Sequence, residues 1–179
     1  MNDPPEQPMA VFPFHRTELW YNLSLFAHPR LRVCSGFETT SRGEEQVITR
    51  IVERIAIGTV SDAQAAPEHI TALLNLAEEI DLTVEDTLYH KVPIKDFAPI
   101  SPAHMSEAIL WIGEHVLHHE ILIFCNAGIQ RSPSIVIAYL CSVGFGYDEA
   151  LRFVTNKKLG TSPVPNLMQS IEDCLNFYL

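Results

Sequence analysis

The chain has 179 residues and a hydrophobic fraction of 47%, enough for one domain with a buried core. Its 12 Lys plus Arg against 22 Asp plus Glu give a formal net charge of −10, which argues against nucleic-acid and acidic-membrane binders, because clustered basic side chains hold those partners. No apolar run approaches the about 18 residues that span a bilayer, and the acidic start is unlike a secretory signal. The 4 scattered cysteines do not suggest a disulfide framework. We therefore expect a soluble cytoplasmic protein.

The first 46 residues are expected to form an extension that is partly disordered at its proline-rich start. The role of this extension and the role of Cys34 within it stay undecided. Residues 47–57 are rich in β-branched side chains and end at Gly58, which suits one or two strands. Residues 70–76 suit either a helix or a short buried strand, since periodicity does not separate the two. A further short strand is predicted from Tyr89 to Ile94.

The second half of the chain alternates helices with a strand. Ser101-Pro102 predicts a helix start, because serine suits the N-cap and proline the first helical position. The apolar run Ile121 to Phe124 is typical of a strand covered on both faces. Ser132-Pro133 predicts another capped helix, and two more helices are expected at about 147–158 and 165–178. This order predicts an α/β fold with a mostly parallel central sheet flanked by helices.

The segment from Cys125 to Pro133 joins the buried strand to a helix and carries the candidate chemistry. A tight loop at a helix N-terminus points backbone N–H groups inward and adds the positive end of the helix dipole, so it suits an anion. Its glycine lets the backbone approach an oxyanion closely, and its arginine adds a planar fork for two phosphate oxygens. The predicted phosphate-binding residues are Asn126, Ala127, Gly128, Ile129, Gln130 and Arg131.

Cys125 is the predicted nucleophile of this loop. A thiol beside an arginine at a helix N-terminus favours the thiolate, which can attack phosphorus in line and form a covalent intermediate. Ser132 can cap the helix and donate a hydrogen bond to the sulfur when the sulfur becomes the leaving group. A lone cysteine is more often a core residue, but here the strand, the glycine, Arg131 and the Ser-Pro helix start coincide.

The segment resembles the signature of the dual-specificity branch of the cysteine-dependent protein tyrosine phosphatases: His-Cys, five residues, Arg, then Ser or Thr. The resemblance covers roughly residues 47–179. Ile55 to Ala63 looks like the family's opening strand and turn, and Leu73 to Glu79 looks like its next strand, which favours a strand at about 71–76. Pro163 to Gln169 is similar to the segment that opens the last helix. The resemblance implies a tyrosine phosphatase-like catalytic domain that needs no cofactor and no metal.

The resemblance also implies a general acid. The family places an aspartate on a loop about 30 residues before the cysteine, and Asp96 stands 125 − 96 = 29 positions before Cys125. Asp86 and Glu107 do not match, because Asp86 precedes the strand and Glu107 falls within the following helix. The family's histidine before the cysteine is Phe124 here. That histidine helps to order the loop and ionise the thiol, so we expect a weakened rather than an abolished nucleophile.

The absence of charged side chains at loop residues 126–130 limits the classes of substrate that we expect. Relatives that act on inositol phospholipids tend to carry lysines inside the loop, so a phosphoprotein is expected here. Phosphotyrosine is preferred, and phosphoserine or phosphothreonine stays open. The alternatives are a catalytically weak, phosphate-binding pseudophosphatase and a peroxide-sensing thiol. A monomer is favoured, with neither nucleic acid nor membrane as a partner.

Other features of the sequence are interpreted as structural. His115 and His119 stand one helical turn apart, the spacing of a zinc-binding pair, but no third ligand is nearby, so we expect a surface helix end. Lys157-Lys158 is expected to be an exposed helix C-terminus. Cys141 and Cys174 are expected to lie in the core.

Overall fold

The computed structural model of the protein describes residues 48–177, so the predicted N-terminal extension and Cys34 lie outside the described residues. The described strands are β1 Thr49–Val52, β2 Ile55–Gly58, β3 Ala72–Ala77, β4 Leu88–Ile94 and β5 Ile121–Phe124. They form one 5-stranded sheet in the order β1-β2-β5-β3-β4. Only β1 and β2 pair antiparallel within it. The predicted mostly parallel sheet is therefore confirmed, and the ambiguous segment is strand β3.

The helices are α1 Val60–Gln64, α2 Pro102–His115, α3 Arg131–Ser142, α4 Tyr147–Lys157 and α5 Leu167–Phe177. Helix α2 begins as predicted, because the Ser101 hydroxyl accepts a hydrogen bond of 3.2 Å from the His104 N–H. Among residues 48–177, no helix combines the length and apolar character needed to cross a bilayer.

Helix α3 begins earlier than predicted, and the prediction that Ser132 caps it is wrong. The N-cap position is Gln130, with no side-chain cap. The Gln130 carbonyl already accepts a hydrogen bond of 3.1 Å from the Ser134 N–H, which closes the first turn ahead of the Ser-Pro pair. Pro133 then lies in that first turn, where its missing N–H would have no partner inside the helix.

The sheet separates two apolar clusters, because successive strand residues point to opposite faces. The larger cluster joins one face of the sheet to helices α2, α3, α4 and α5, and it includes Ile123 and Cys125. The smaller cluster lies on the other face and includes Leu122 and Phe124. Every residue of β3 and of β5 is buried, as the continuous apolar runs predicted.

The parallel strands bring four loops to one edge of the sheet. Gly58 and Asn75 are both paired with Phe124, and Ala77 is paired with Ile94, so β2, β3, β4 and β5 end at about the same level. Open parallel sheets bind their ligands at the carboxyl ends of the strands. The segment that follows β5, from Cys125 to Gln130, is therefore placed where such a fold holds a site.

Candidate active site

The loop after β5 is packed against the end of β2. Gly128 has φ +67°, and a Cβ atom built there would lie 2.6 Å from the Gly58 carbonyl oxygen. The Val60 N–H also donates to the Asn126 carbonyl at 3.4 Å. Only glycine allows this approach of two backbones, so Gly128 sets the curvature of the loop that starts at Cys125.

Arg131 is 1% exposed, and its guanidinium plane is fixed by protein contacts. Nη1 and Nη2 donate to the two carboxylate oxygens of Glu79, each at 2.7 Å. Nη1 also donates to the Ile94 carbonyl at 3.1 Å. Nε is buried without a hydrogen-bond partner among the described residues. The N–H of Nε and the second N–H of Nη2 form a different edge of the guanidinium from the one that binds Glu79, and an edge of this kind can hold two oxygens of a tetrahedral anion.

The charges around Arg131 keep this arginine and its partner ionised. Burial opposes the positive charge of Arg131, but the hydrogen bond to Glu79 and the negative charges of Cys125, Glu79 and Asp96 outweigh burial and raise the pKa of Arg131 above its ordinary value. The hydrogen bond from Arg131 in turn lowers the pKa of the Glu79 carboxyl. Sequence reasoning missed Glu79, which it treated only as the end of a strand.

Asp96 lies on the loop that follows β4, next to the guanidinium. Its Oδ1 is 3.4 Å from Arg131 Nε, and its side chain is 41% exposed. The next residue, Phe97, has φ +53°, and its N–H donates to Gln130 Oε1 at 2.9 Å. The two segments that sequence reasoning selected, around Asp96 and around Cys125, are thus in direct contact, while the general-acid role of Asp96 stays a prediction.

Ser134, and not Ser132, makes the hydrogen bonds at the start of helix α3. The Ser132 hydroxyl is buried without a hydrogen-bond partner among the described residues. The Ser134 hydroxyl donates to the Gln130 carbonyl at 2.7 Å and accepts from the Val164 N–H at 3.0 Å. Ser134 therefore ties the helix start to the segment before α5, and donation from Ser132 to a leaving sulfur stays a prediction.

Lys158 corrects the expectation of an exposed lysine pair. It is 8% exposed, because the backbone leaves helix α4 there in an extended conformation and turns the side chain inward. Burial lowers the pKa of Lys158, against the opposing charges of Asp62 and Cys125. Asp62 is itself buried and accepts hydrogen bonds from the Thr59 N–H at 2.7 Å and hydroxyl at 2.9 Å. The burial of Lys158 was not signalled by any local pattern in the sequence.

The sequence profile described as the dual specificity phosphatase catalytic domain matches residues 56–176, more than half of the chain. The chain belongs to the dual specificity phosphatase family. Dual specificity protein phosphatase 15 of Mus musculus is 27% identical over 133 residues, 70% of this chain and 57% of that protein. Dual specificity protein phosphatase 5 of Homo sapiens is 36% identical over 100 residues, 53% of this chain and 26% of that protein. The chain thus spans less than two thirds of these relatives.

Solved structures agree with membership of the dual specificity phosphatase family. The crystal structure of DUSP15 matches with a TM-score of 0.61 and 26% identity, over 70% of this chain and 85% of that chain. The crystal structure of Tk-PTP in the active form matches with a TM-score of 0.63 and 24% identity, over 73% of this chain and 97% of that chain, and this match shows the fold alone.

The interpretation of His115, His119, Cys141 and Cys174 as structural residues agrees with their contacts and burial. His115 Nδ1 donates to the Trp111 carbonyl at 2.8 Å, and His119 Nδ1 lies 3.2 Å from the Thr71 hydroxyl. Within residues 48–177, no three His, Cys, Asp or Glu side chains are grouped to hold a metal. Burial raises the pKa of Cys141 to about 11 and that of Cys174 to about 12. Both thiols stay protonated and inert at neutral pH.

Proposed function

We propose that this chain is a cysteine-dependent protein phosphatase that hydrolyses phosphotyrosine, with phosphoserine and phosphothreonine as further candidate substrates. The observation that carries the proposal is the 3.4 Å contact between Arg131 Nε and Asp96 Oδ1, beside a glycine-containing loop that begins at Cys125. A candidate nucleophile, an anion-binding arginine and a candidate acid converge there, on a fold that belongs to the dual specificity phosphatases.

In the first chemical step, the loop amides of residues 126–130 and the Nε–Nη2 edge of Arg131 hold the three terminal oxygens of the phosphoryl group. The Cys125 thiolate attacks phosphorus in line, so an S–P bond forms while the P–O bond to the substrate breaks. Asp96 gives its proton to the departing oxygen, which would otherwise leave as an alkoxide or phenoxide.

In the second step, water attacks the phosphorus of the cysteinyl-phosphate while the Asp96 carboxylate takes one of its protons. The S–P bond breaks, inorganic phosphate is released, and the Ser132 hydroxyl donates a hydrogen bond to the departing sulfur. Glu79 takes no part in bond changes; it holds the guanidinium plane of Arg131 through two hydrogen bonds of 2.7 Å.

One observation favours the competing function of a weak, phosphate-binding pseudophosphatase. Phe124 is fully buried in the smaller apolar cluster, on the face of the sheet opposite to Cys125, and a phenyl ring has no polar atom with which to give the loop a hydrogen bond. The buried Arg131 and its 3.4 Å contact with Asp96 are still present beside the loop that begins at Cys125, and for this reason we favour turnover. A cytoplasmic location and a monomeric state stay predictions from the sequence.

The test compares hydrolysis of an aryl phosphate by the wild type, Cys125→Ser and Asp96→Asn. We expect no turnover in the serine variant and a loss of about 10²- to 10⁴-fold in the asparagine variant, the usual contribution of a general acid. Asp86→Asn is the matched control, because Asp86 is exposed on another loop, and it should keep the wild-type rate. A wild type that binds vanadate but releases no phosphate would favour the pseudophosphatase, and activity in Cys125→Ser would refute the proposal.

A further inference from the structure

Gln130 links the phosphate loop to the loop that carries Asp96. Its side chain is largely buried, and its Oε1 accepts the Phe97 N–H at 2.9 Å. Its carbonyl accepts from both the Ser134 N–H, at 3.1 Å, and the Ser134 hydroxyl, at 2.7 Å. Because helix α3 holds the backbone of Gln130, its side-chain oxygen is a fixed acceptor for the opposite loop.

Gln130 contacts Phe97, a residue whose backbone conformation is unfavourable by itself. Phe97 has φ +53°, a left-handed conformation that is a genuine outlier for a bulky residue. Its side chain is 77% exposed, so packing does not compensate for this backbone strain. The hydrogen bond to Gln130 therefore stabilises the backbone conformation of Phe97 and, through it, the position of the preceding residue, Asp96.

We propose that Gln130 is a positioning residue for Asp96, acting through the Phe97 N–H. This inference rests on the proposed function, because it assigns Gln130 to the acid step of that reaction. Arg131 Nη1 holds the Ile94 carbonyl at 3.1 Å, before Asp96, and Gln130 holds the N–H that follows it. The acid is thus held on both sides by consecutive residues of the phosphate loop and helix α3.

The test separates protonation of the leaving group from general loss of structure. Gln130→Met keeps the length of the side chain and removes the acceptor oxygen. Its kcat/KM is measured with aryl phosphates whose leaving groups have pKa values from about 4 to about 10, since only the basic phenoxides need an acid. We expect a loss of tenfold or more for phenyl phosphate and less than about threefold for the most acidic phenol. The basic limb of the pH profile should flatten.

Two further variants make the comparison specific. In Gln130→Glu a carboxylate oxygen can still accept the Phe97 N–H, so the dependence on leaving group should stay like the wild type even if the added charge raises KM. Gln169→Met is the matched control, because Gln169 is exposed on helix α5 and only pairs with Asp173. In the Asp96→Asn background, Gln130→Met should cause no further loss with phenyl phosphate.

The positioning role would be overturned if Gln130→Met lowered kcat/KM equally for all aryl phosphates. It would also be overturned if Gln130→Met caused its full loss of kcat/KM again in the Asp96→Asn background. Hydrogen exchange at the Phe97 amide is measured in parallel and should be faster in Gln130→Met than in the wild type. Unchanged exchange would overturn the inference whatever the kinetics. A wild type inert toward every aryl phosphate would overturn the proposed function, and with it the positioning role of Gln130, while exchange at Phe97 would still report whether the contact exists.

Discussion

Gly128→Ala should destabilise the protein strongly, because the new methyl group would meet a backbone atom. At φ +67° an L-residue costs about 1–2 kcal/mol. The added Cβ would also lie 2.6 Å from the Gly58 carbonyl oxygen and 3.0 Å from its carbon. Gly58 is held in register with Phe124 in the sheet, so it cannot move aside freely, and overpacking of this kind costs about 1–3 kcal/mol. The expected total is about 2–5 kcal/mol.

Gly160→Ala is the control that separates the cost of the contact with Gly58 from the cost of the left-handed backbone conformation. Gly160 has φ +78°, and its added Cβ would meet nothing within 4 Å, so only the conformational part, about 1–2 kcal/mol, applies. Urea unfolding of both variants measures the difference through the midpoint at an unchanged slope. Equal losses for the two variants would refute the argument that Gly128 is required by its approach to Gly58.

Three other variants test separate contacts. Glu79→Gln should lower the free energy of unfolding by about 0.5–1.5 kcal/mol at pH 7, because the Glu79 side chain is 47% exposed and solvent screens its ion pair with Arg131. The pKa of Glu79 is lowered in the fold, so its stabilisation is present above the unfolded carboxyl value and is lost as the pH falls through the folded one; a loss equally large at pH ~3 would contradict this reasoning. Phe124→His should cost about 2–4 kcal/mol in urea unfolding, because it places a polar ring in an apolar cluster; an unchanged midpoint would show that the cluster accepts the ring. Ser101→Ala should lower the thermal midpoint by an amount equivalent to about 1 kcal/mol through loss of the cap on His104, and an unaltered midpoint would mean that the cap contributes nothing.

Sequence reasoning reached the parts of the site that are local in the chain. The strand, the glycine loop and Arg131 lie within a few residues of Cys125, so the pattern could predict that they are close together, while their joint chemistry stays a prediction. The partners of Arg131 and of Phe97 are different: Glu79 is 52 positions from Arg131, and Gln130 is 33 positions from Phe97. Periodicity reports which face a residue occupies but not which distant residue it meets.

The misjudged residues have equally physical causes. The Ser-Pro pair at 132–133 fits the start of a helix, but the Gln130 carbonyl had already closed the first turn through Ser134. Lys158 follows an amphipathic helix and carries a charge, so exposure was the expected state. It is buried where the backbone becomes extended after α4, a change of direction that composition does not reveal.

The fixation of Arg131 has a consequence for affinity. Its side chain, which carries about 2 kcal/mol of rotamer entropy when free, is immobilised by Glu79 and Ile94. If Arg131 binds the phosphoryl group as proposed, an arriving oxyanion meets a guanidinium preorganised by folding and loses no affinity to ordering it. The same advantage would then extend to every tetrahedral oxyanion that reaches Arg131, the released product included.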